Sequence, residues 1–222
     1  MVMQIFSILF PVLLHMILSD TAAILLPVLT KGQADTAVCT TVAALLVIPA
    51  AVWMYRRDAA KSVIRKDAEK TEKRPKNVCI AHVKYGMLCM ILGGAMDLIL
   101  SEILVRIQIQ NYFSNQTQEQ LLASAAAVQI IGLGIAVPIA EELIFRGLMY
   151  HRMKQLFSVP MSIFLTSLLF ALYHGNMIQI LFAFPLAVIL AWIYEKGKWF
   201  GYPALFHMGV NLTTVIINLL FV

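Results

Sequence analysis

The sequence predicts an all-α fold, a polytopic transmembrane helical bundle of about six to seven spans. Of its 222 residues 60% are hydrophobic and only 13% are charged, and the mean hydropathy is +0.81. Soluble domains are about 45–50% apolar and about 25% charged. The apolar runs have the length of a spanning helix, about 17–25 residues, and lack the alternation of barrel strands. We therefore predict a multi-pass protein of the cell membrane, with the lipid bilayer as a partner.

The first three apolar runs are separated by polar connections. We predict helices over 3–29, 36–55 and 78–107. Basic residues follow the second of these helices. The third run carries Glu102 and Arg106. Residues four apart share one face of a helix, so these two side chains are predicted to form an ion pair.

Four further runs complete the predicted bundle. They cover 121–150, 159–174, 177–194 and 203–222. The connection between the first two of these is short and flanked by proline, which favours an antiparallel helical hairpin.

The net charge of +5 comes from one segment, 56–76. There, nine basic residues stand against four acidic ones, a difference of five. Lys and Arg concentrate in cytoplasmic loops of membrane proteins, so we predict a basic cytoplasmic loop and no nucleic-acid partner. A patch for lipid headgroups or nucleic acid is the alternative. With seven spans, this loop places the N-terminus inside and the C-terminus outside.

The fourth run contains three charged residues where a membrane helix should have none. Glu141, Glu142 and Arg146 lie within six residues, and one charge near the bilayer centre costs roughly 2.5–3.5 kcal/mol on insertion scales. Glu142 and Arg146 are four apart, so they can pair on one helix face. Glu141 lies about 100° further around the helix. We predict that Glu142 neutralises Arg146 and that Glu141 faces a cavity.

Two histidines in later runs are candidates to join this carboxylate. Glu141 precedes Phe157 by 16 residues, and His174 follows Ser158 by 16. In an antiparallel hairpin both would lie about 24 Å from the turn, so they can meet. His207 lies only a few residues after the next basic turn, so it joins them only if its helix starts deeper in the membrane.

A hydrolytic site typically combines a carboxylate, imidazoles and an amide in an apolar cavity. Here Glu141, the two histidines and the amide of Asn211 would supply these groups. A buried carboxylate can serve as a general base, and imidazole can polarise a carbonyl, relay a proton or bind a metal. The amide can donate to a developing oxyanion. Together these groups would activate water and stabilise the intermediate of amide hydrolysis.

At these positions the sequence resembles the CAAX protease and bacteriocin-processing (CPBP, ABI) family of intramembrane endopeptidases. The family pattern is two glutamates followed by arginine, then phenylalanine four before histidine, then histidine four before asparagine. The same order occurs here as Glu141-Glu142 with Arg146, Phe170 with His174, and His207 with Asn211.

The resemblance implies two parts. Residues 1–120 would be N-terminal transmembrane helices with the basic cytoplasmic loop 56–76, and residues 121–222 the CPBP-like intramembrane protease core. It also implies roles: general base for Glu141, assistance at the water for His174, oxyanion stabilisation for His207 and Asn211, and support for Glu142 and Arg146.

The resemblance implies an endopeptidase acting on a membrane-associated or secreted peptide or protein. The family is often labelled metalloprotease, but a glutamate-activated water needs no metal, and the sequence lacks the His-Glu-x-x-His zinc motif. No cofactor is therefore favoured, and zinc held by His174 and His207 is the alternative.

Two other functions compete with hydrolysis. One is a non-catalytic membrane immunity or scaffold protein that binds a bacteriocin-like peptide or a partner. The other is a transporter with Glu141 in a proton relay, which predicts repeated halves that the sequence does not show. The family name suggests prenylated substrates, but no residue here is assigned to reading a lipid.

Overall fold

The computed structural model describes residues 2–60 and 78–221, and within them the chain is all-helical, without strands. This confirms the predicted fold class. The helices are α1 Val2–Leu29, α2 Thr36–Ala60, α3 Val78–Arg106, α4 Gln116–Leu122, α5 Val128–Met153, α6 Val159–Tyr173, α7 Met177–Gly197 and α8 Gly201–Phe221, with a 3₁₀ turn Ile109–Asn111.

Six of the described helices are long and apolar enough to cross a membrane: α1, α2, α3, α5, α7 and α8. The predicted run 121–150 is divided, because α4 ends at Leu122 and α5 begins at Val128. The predicted run 159–174 forms a helix of 15 residues. A helix of this length is about 22 Å long, whereas a helix that crosses the membrane needs roughly 20 residues.

The sequence Gly175-Asn176 ends α6 and starts α7. Gly175 has φ +67°, a conformation that glycine adopts without steric cost. The side chain of Asn176 accepts hydrogen bonds from the backbone N–H groups of Ile178 and Gln179, as an N-cap residue does. These two residues limit α6 to four turns, so that His174 lies at its carboxyl end.

The basic segment 56–76 lies only partly in the described structure. Helix α2 continues through Arg56 and Arg57 to Ala60, beyond the predicted end at residue 55. Residues 61–77 lie outside the described residues, and the cytoplasmic placement of this segment stays a prediction.

Helix α5 is the central helix. In its most apolar stretch 72% of the residues are buried, against 39% or less in the other five long helices. Helix α2 packs against it closely because its facing residues are small, and Ala44, Val47 and Ala51 are fully buried. Small residues let membrane helices approach at backbone distance. The polar residues of α5 are therefore surrounded by protein.

Helices α3 and α8 touch through glycines. A Cβ atom built on Gly93 would lie 1.9 Å from the carbonyl oxygen of Phe206, and one on Gly209 would lie 2.0 Å from that of Met90. Only glycine allows such contact between two backbones. This contact sets the position of α8, which carries His207 and Asn211.

We expect Gly209→Ala to lower the stability of the protein, because the new methyl group overlaps backbone atoms of α3 that cannot rotate away. Overpacking of this kind costs typically about 1–3 kcal/mol. Thermal unfolding of the detergent-solubilised protein should show a lower Tm than the wild type. Gly86→Ala is the matched control, since there the Cβ meets only the tip of the Leu205 side chain, at 2.6 Å. Equal Tm values for the two variants would contradict the proposed role of this contact.

Candidate active site

Glu141 and Glu142 lie in a short α-helical stretch of α5 between two π-helical stretches. The π-helical stretches are Val128–Ala136 and Leu143–Tyr150, and the stretch between them is Val137–Glu142. In π-helices the backbone hydrogen bonds reach one residue further than in an α-helix, and such segments are frequent at functional sites. The polar residues of α5 thus lie where the helix departs from regular geometry.

Glu142 and Arg146 form a fully buried ion pair. Nη1 of Arg146 donates to Oε1 of Glu142 at 2.9 Å, and both side chains have 0% exposure. Nη2 of Arg146 donates to the carbonyl oxygen of Ala187 in α7 at 3.1 Å, and the guanidinium lies 4.6 Å from the ring centroid of Phe170. The spacing predicted this pair, and the structure adds the contacts that hold α5, α6 and α7 together.

The imidazole of His207 lies between the two carboxylates. Its Nδ1 is 2.9 Å from Oε1 of Glu142, and its Nε2 is 3.7 Å from Oε2 of Glu141. An ionised carboxylate only accepts hydrogen bonds, so Nδ1 carries the hydrogen toward Glu142, which leaves Nε2 toward Glu141. Glu141 lines a large cavity and Glu142 does not, which agrees with their spacing on the helix, and one ring lies close to both.

Phe170 packs between the cation and the two histidines. Its ring centroid is 5.0 Å from that of His174 and 5.8 Å from that of His207, both in edge orientation. The backbone carbonyl of Phe170 accepts from Nδ1 of His174 at 2.9 Å. A hydrogen bond at one ring nitrogen fixes the tautomer, so Nε2 of His174 is free to accept a proton.

One cavity of about 850 Å³ brings the four predicted catalytic residues together. Its wall includes Glu141, His174, His207 and Asn211. Asn211 donates through Nδ2 to the carbonyl oxygen of Leu133 at 2.9 Å, and the second hydrogen of the same amide is not used in this bond. Glu142 and Arg146 do not line the cavity, which agrees with a supporting position behind His207.

The site also includes a pair that the motifs do not contain. The hydroxyl group of Tyr173 lies 2.8 Å from Nδ1 of His15 in α1, and the two rings are stacked at 5.6 Å. Both residues line the cavity. Neither residue belongs to the three sequence motifs, and nothing in the sequence identified Tyr173 as the partner of His15.

The described residues contain no group of three or more His, Cys, Asp or Glu side chains placed to hold a metal ion. His174 and His207, the two predicted candidate ligands, line the same cavity. In this geometry Nδ1 of each ring is engaged, by Phe170 and by Glu142.

Residues 122–213 match a family model described as Type II CAAX prenyl endopeptidase Rce1-like. This segment contains the glutamate pair with its arginine and both histidine motifs. The resemblance to the CAAX protease and bacteriocin-processing family is confirmed over this segment. With its six candidate spans, the chain is a multi-pass membrane protein whose Rce1-like segment contributes Glu141, His174, His207 and Asn211 to the wall of the cavity.

A curated relative matches part of the same chain. The UPF0177 protein YxdF of Lactococcus lactis subsp. lactis (strain IL1403) is 35% identical over 81 residues, which are 36% of this chain and 44% of that protein. The chain thus matches less than half the length of this relative. No solved structure matches the chain at a significant level.

Proposed function

We propose that this protein is an intramembrane endopeptidase that hydrolyses a peptide bond of a membrane-associated or secreted peptide with a water activated by Glu141. The observation that supports this most strongly is the His207 ring, which contacts Glu142 at 2.9 Å and faces Glu141 at 3.7 Å on the wall of a large cavity. A carboxylate with no role in the Arg146 ion pair is thereby available to a substrate.

In the proposed reaction, Glu141 takes a proton from a water molecule while the water oxygen adds to the carbonyl carbon of the substrate. His174, with Nε2 free, assists at this water. The oxyanion accepts hydrogen bonds from Nε2–H of a protonated His207 and from the second amide hydrogen of Asn211. The proton on Glu141 then passes to the amide nitrogen and the carbon–nitrogen bond breaks. The products are an amine and a carboxylic acid, and the acid ionises by giving its remaining water proton to the amine.

The Glu142–Arg146 pair has a positioning role in this proposal. Glu142 holds Nδ1 of His207 and Arg146 holds Glu142, so the ring cannot rotate without breaking a buried charge-assisted hydrogen bond. Neither residue touches the substrate, since neither lines the cavity.

The proposed reaction uses no metal or other cofactor. The alternative is a zinc ion on His174 and His207, which would require Nε2 of both rings, because each Nδ1 is engaged. A chelator that removes zinc should therefore leave the cleavage rate unchanged, whereas loss of activity that added zinc restores would support the alternative.

The proposal is tested by reconstituting the purified full chain into liposomes and incubating it with a library of apolar peptides. Mass spectrometry then identifies the cut bonds. Time-dependent cleavage by the wild type supports the proposal. If no peptide is cut while some bind, the non-catalytic immunity or scaffold function takes its place.

Asn211→Ala should slow cleavage without preventing folding, because it removes one oxyanion donor and one hydrogen bond to Leu133. Loss of a single oxyanion donor lowers kcat by about 10²–10³ in other hydrolases. The rate is measured on the best peptide from the library. Asn218→Ala on the same helix is the control: Asn218 lines the same cavity, but its side chain donates to Leu122 and Gln129, and it is seven residues, about 10 Å along the helix, from Asn211. An unchanged kcat in Asn211→Ala would remove this residue from the proposed oxyanion site.

A further inference from the structure

The cavity has a second polar position, away from the glutamate pair. Asp97 in α3 lines its wall and is only 3% exposed. Oδ1 of Asp97 accepts a hydrogen bond from the hydroxyl group of Thr214 in α8 at 2.8 Å. Within residues 2–60 and 78–221, Thr214 is the one hydrogen-bond donor to the Asp97 carboxylate, and no Lys or Arg pairs with it.

Apart from its histidines, the described part of the cavity wall carries acidic but no basic side chains. Among the described residues that line it, Asp20, Asp97 and Glu141 are carboxylates, and none is a Lys or an Arg. A buried carboxylate with a single hydroxyl donor is costly, because burial of a charge is offset only by a close counter-charge and further hydrogen bonds. The proposed chemistry makes no use of Asp97, so its place on the wall of an open cavity points to a ligand.

The distance from Asp97 to the reacting groups follows from the position of its hydrogen-bond partner Thr214 in α8. Thr214, its partner, is seven residues after His207 and three after Asn211. Seven residues of helix rise by about 10 Å, which is the length of about three residues of extended peptide. A peptide with its scissile bond at His207 therefore extends to Asp97 within a few residues.

We infer that Asp97 is a specificity residue that binds the basic side chain, lysine or arginine, of a peptide substrate a few residues from the scissile bond. The ammonium or guanidinium group supplies the counter-charge and the donors that the carboxylate lacks in the free protein. This inference rests on the proposed function for the nature of the ligand, but binding can be measured without cleavage.

The test is a binding measurement on the full chain in detergent with defined probes. These are fluorescent alanine–leucine peptides that carry one lysine at successive positions, together with peptides in which norleucine, an uncharged residue of similar shape, replaces the lysine. The wild type should bind the best lysine peptide on the order of tenfold more tightly than its norleucine counterpart. In Asp97→Asn this ratio should fall to about one.

Thr214→Val is the matched control, because it removes the hydrogen bond to Asp97 but keeps the carboxylate, so the preference for lysine should persist. Where Asp97→Asn unfolds on purification, Asp97→Ser serves instead. Equal binding of lysine and norleucine peptides by the wild type, or a lysine preference that survives in the Asp97 variants, overturns the inference. Lysine-dependent binding without any cleavage contradicts the proposed peptidase but supports this role of Asp97.

Discussion

Glu141→Gln should abolish peptide cleavage while the protein remains folded. Glutamine keeps the shape of the side chain but cannot take a proton from water, and general-base catalysis contributes typically about 10²–10⁴-fold to the rate. Glu141 is outside the Glu142–Arg146 ion pair, and its Oε2 lies 3.7 Å from Nε2 of His207, beyond hydrogen-bond distance. Its loss should therefore change the rate far more than the stability.

The measurement compares initial cleavage rates of the wild type and Glu141→Gln on the same peptide in liposomes, with thermal unfolding as the check on folding. Glu102→Gln is the control, because Glu102 is also a carboxylate on a helix but lies at the surface. Its side chain is 58% exposed and that of its ion-pair partner Arg106 is 77% exposed. The Glu102→Gln variant should cleave the peptide at the wild-type rate. A Glu141→Gln rate within threefold of the wild type would remove Glu141 as the base.

Arg146→Met should destabilise the protein more than any other substitution in the site. It leaves Glu142, whose side chain is 0% exposed, without its cation, and it removes the contacts to Ala187 and to the ring of Phe170. Breaking a buried ion pair by removing one partner costs about 3–5 kcal/mol. The free energy of unfolding in detergent, from a denaturant titration, measures the loss.

A second variant distinguishes the effect of the unpaired Glu142 charge from the effect of the lost Arg146 packing. In Arg146→Met with Glu142→Gln no charge is left unpaired, and the glutamine oxygen can still accept from Nδ1 of His207. We expect the double variant to recover more than half of the loss, since replacement of a whole buried pair is often nearly neutral. A double variant as unstable as the single one would show that the packing of Arg146, and not the ion pair, holds this part of the bundle.

The sequence predicted those features that depend on spacing along one helix or on composition. The spacing of Glu142 and Arg146 predicted their contact, and that of Glu102 and Arg106 predicted the exposed pair on α3. The spacing of Glu141 and His174 from the turn between their helices predicted that they can meet, and both line one cavity. These inferences need only the periodicity of a helix and the length of a turn.

Features that depend on contacts between distant helices could not be predicted. No spacing rule places His207 between two carboxylates 65 and 66 residues earlier, or Asp97 beside Thr214. The π-helical stretches of α5 also lack a recognisable signal in the sequence. The predicted run 159–174 ends one residue earlier in the structure, at Tyr173, because Gly175 and Asn176 end α6 and start α7.

The most direct test of the proposed chemistry is cleavage in water enriched in ¹⁸O. The purified protein is incubated in liposomes with its best peptide, and the mass of each new carboxyl terminus is measured. Attack by a water activated at Glu141 predicts one labelled oxygen in that carboxylate with the wild type and with Glu102→Gln, and no product with Glu141→Gln. Equal amounts of labelled product from Glu141→Gln and from the wild type would contradict the central role given to this carboxylate.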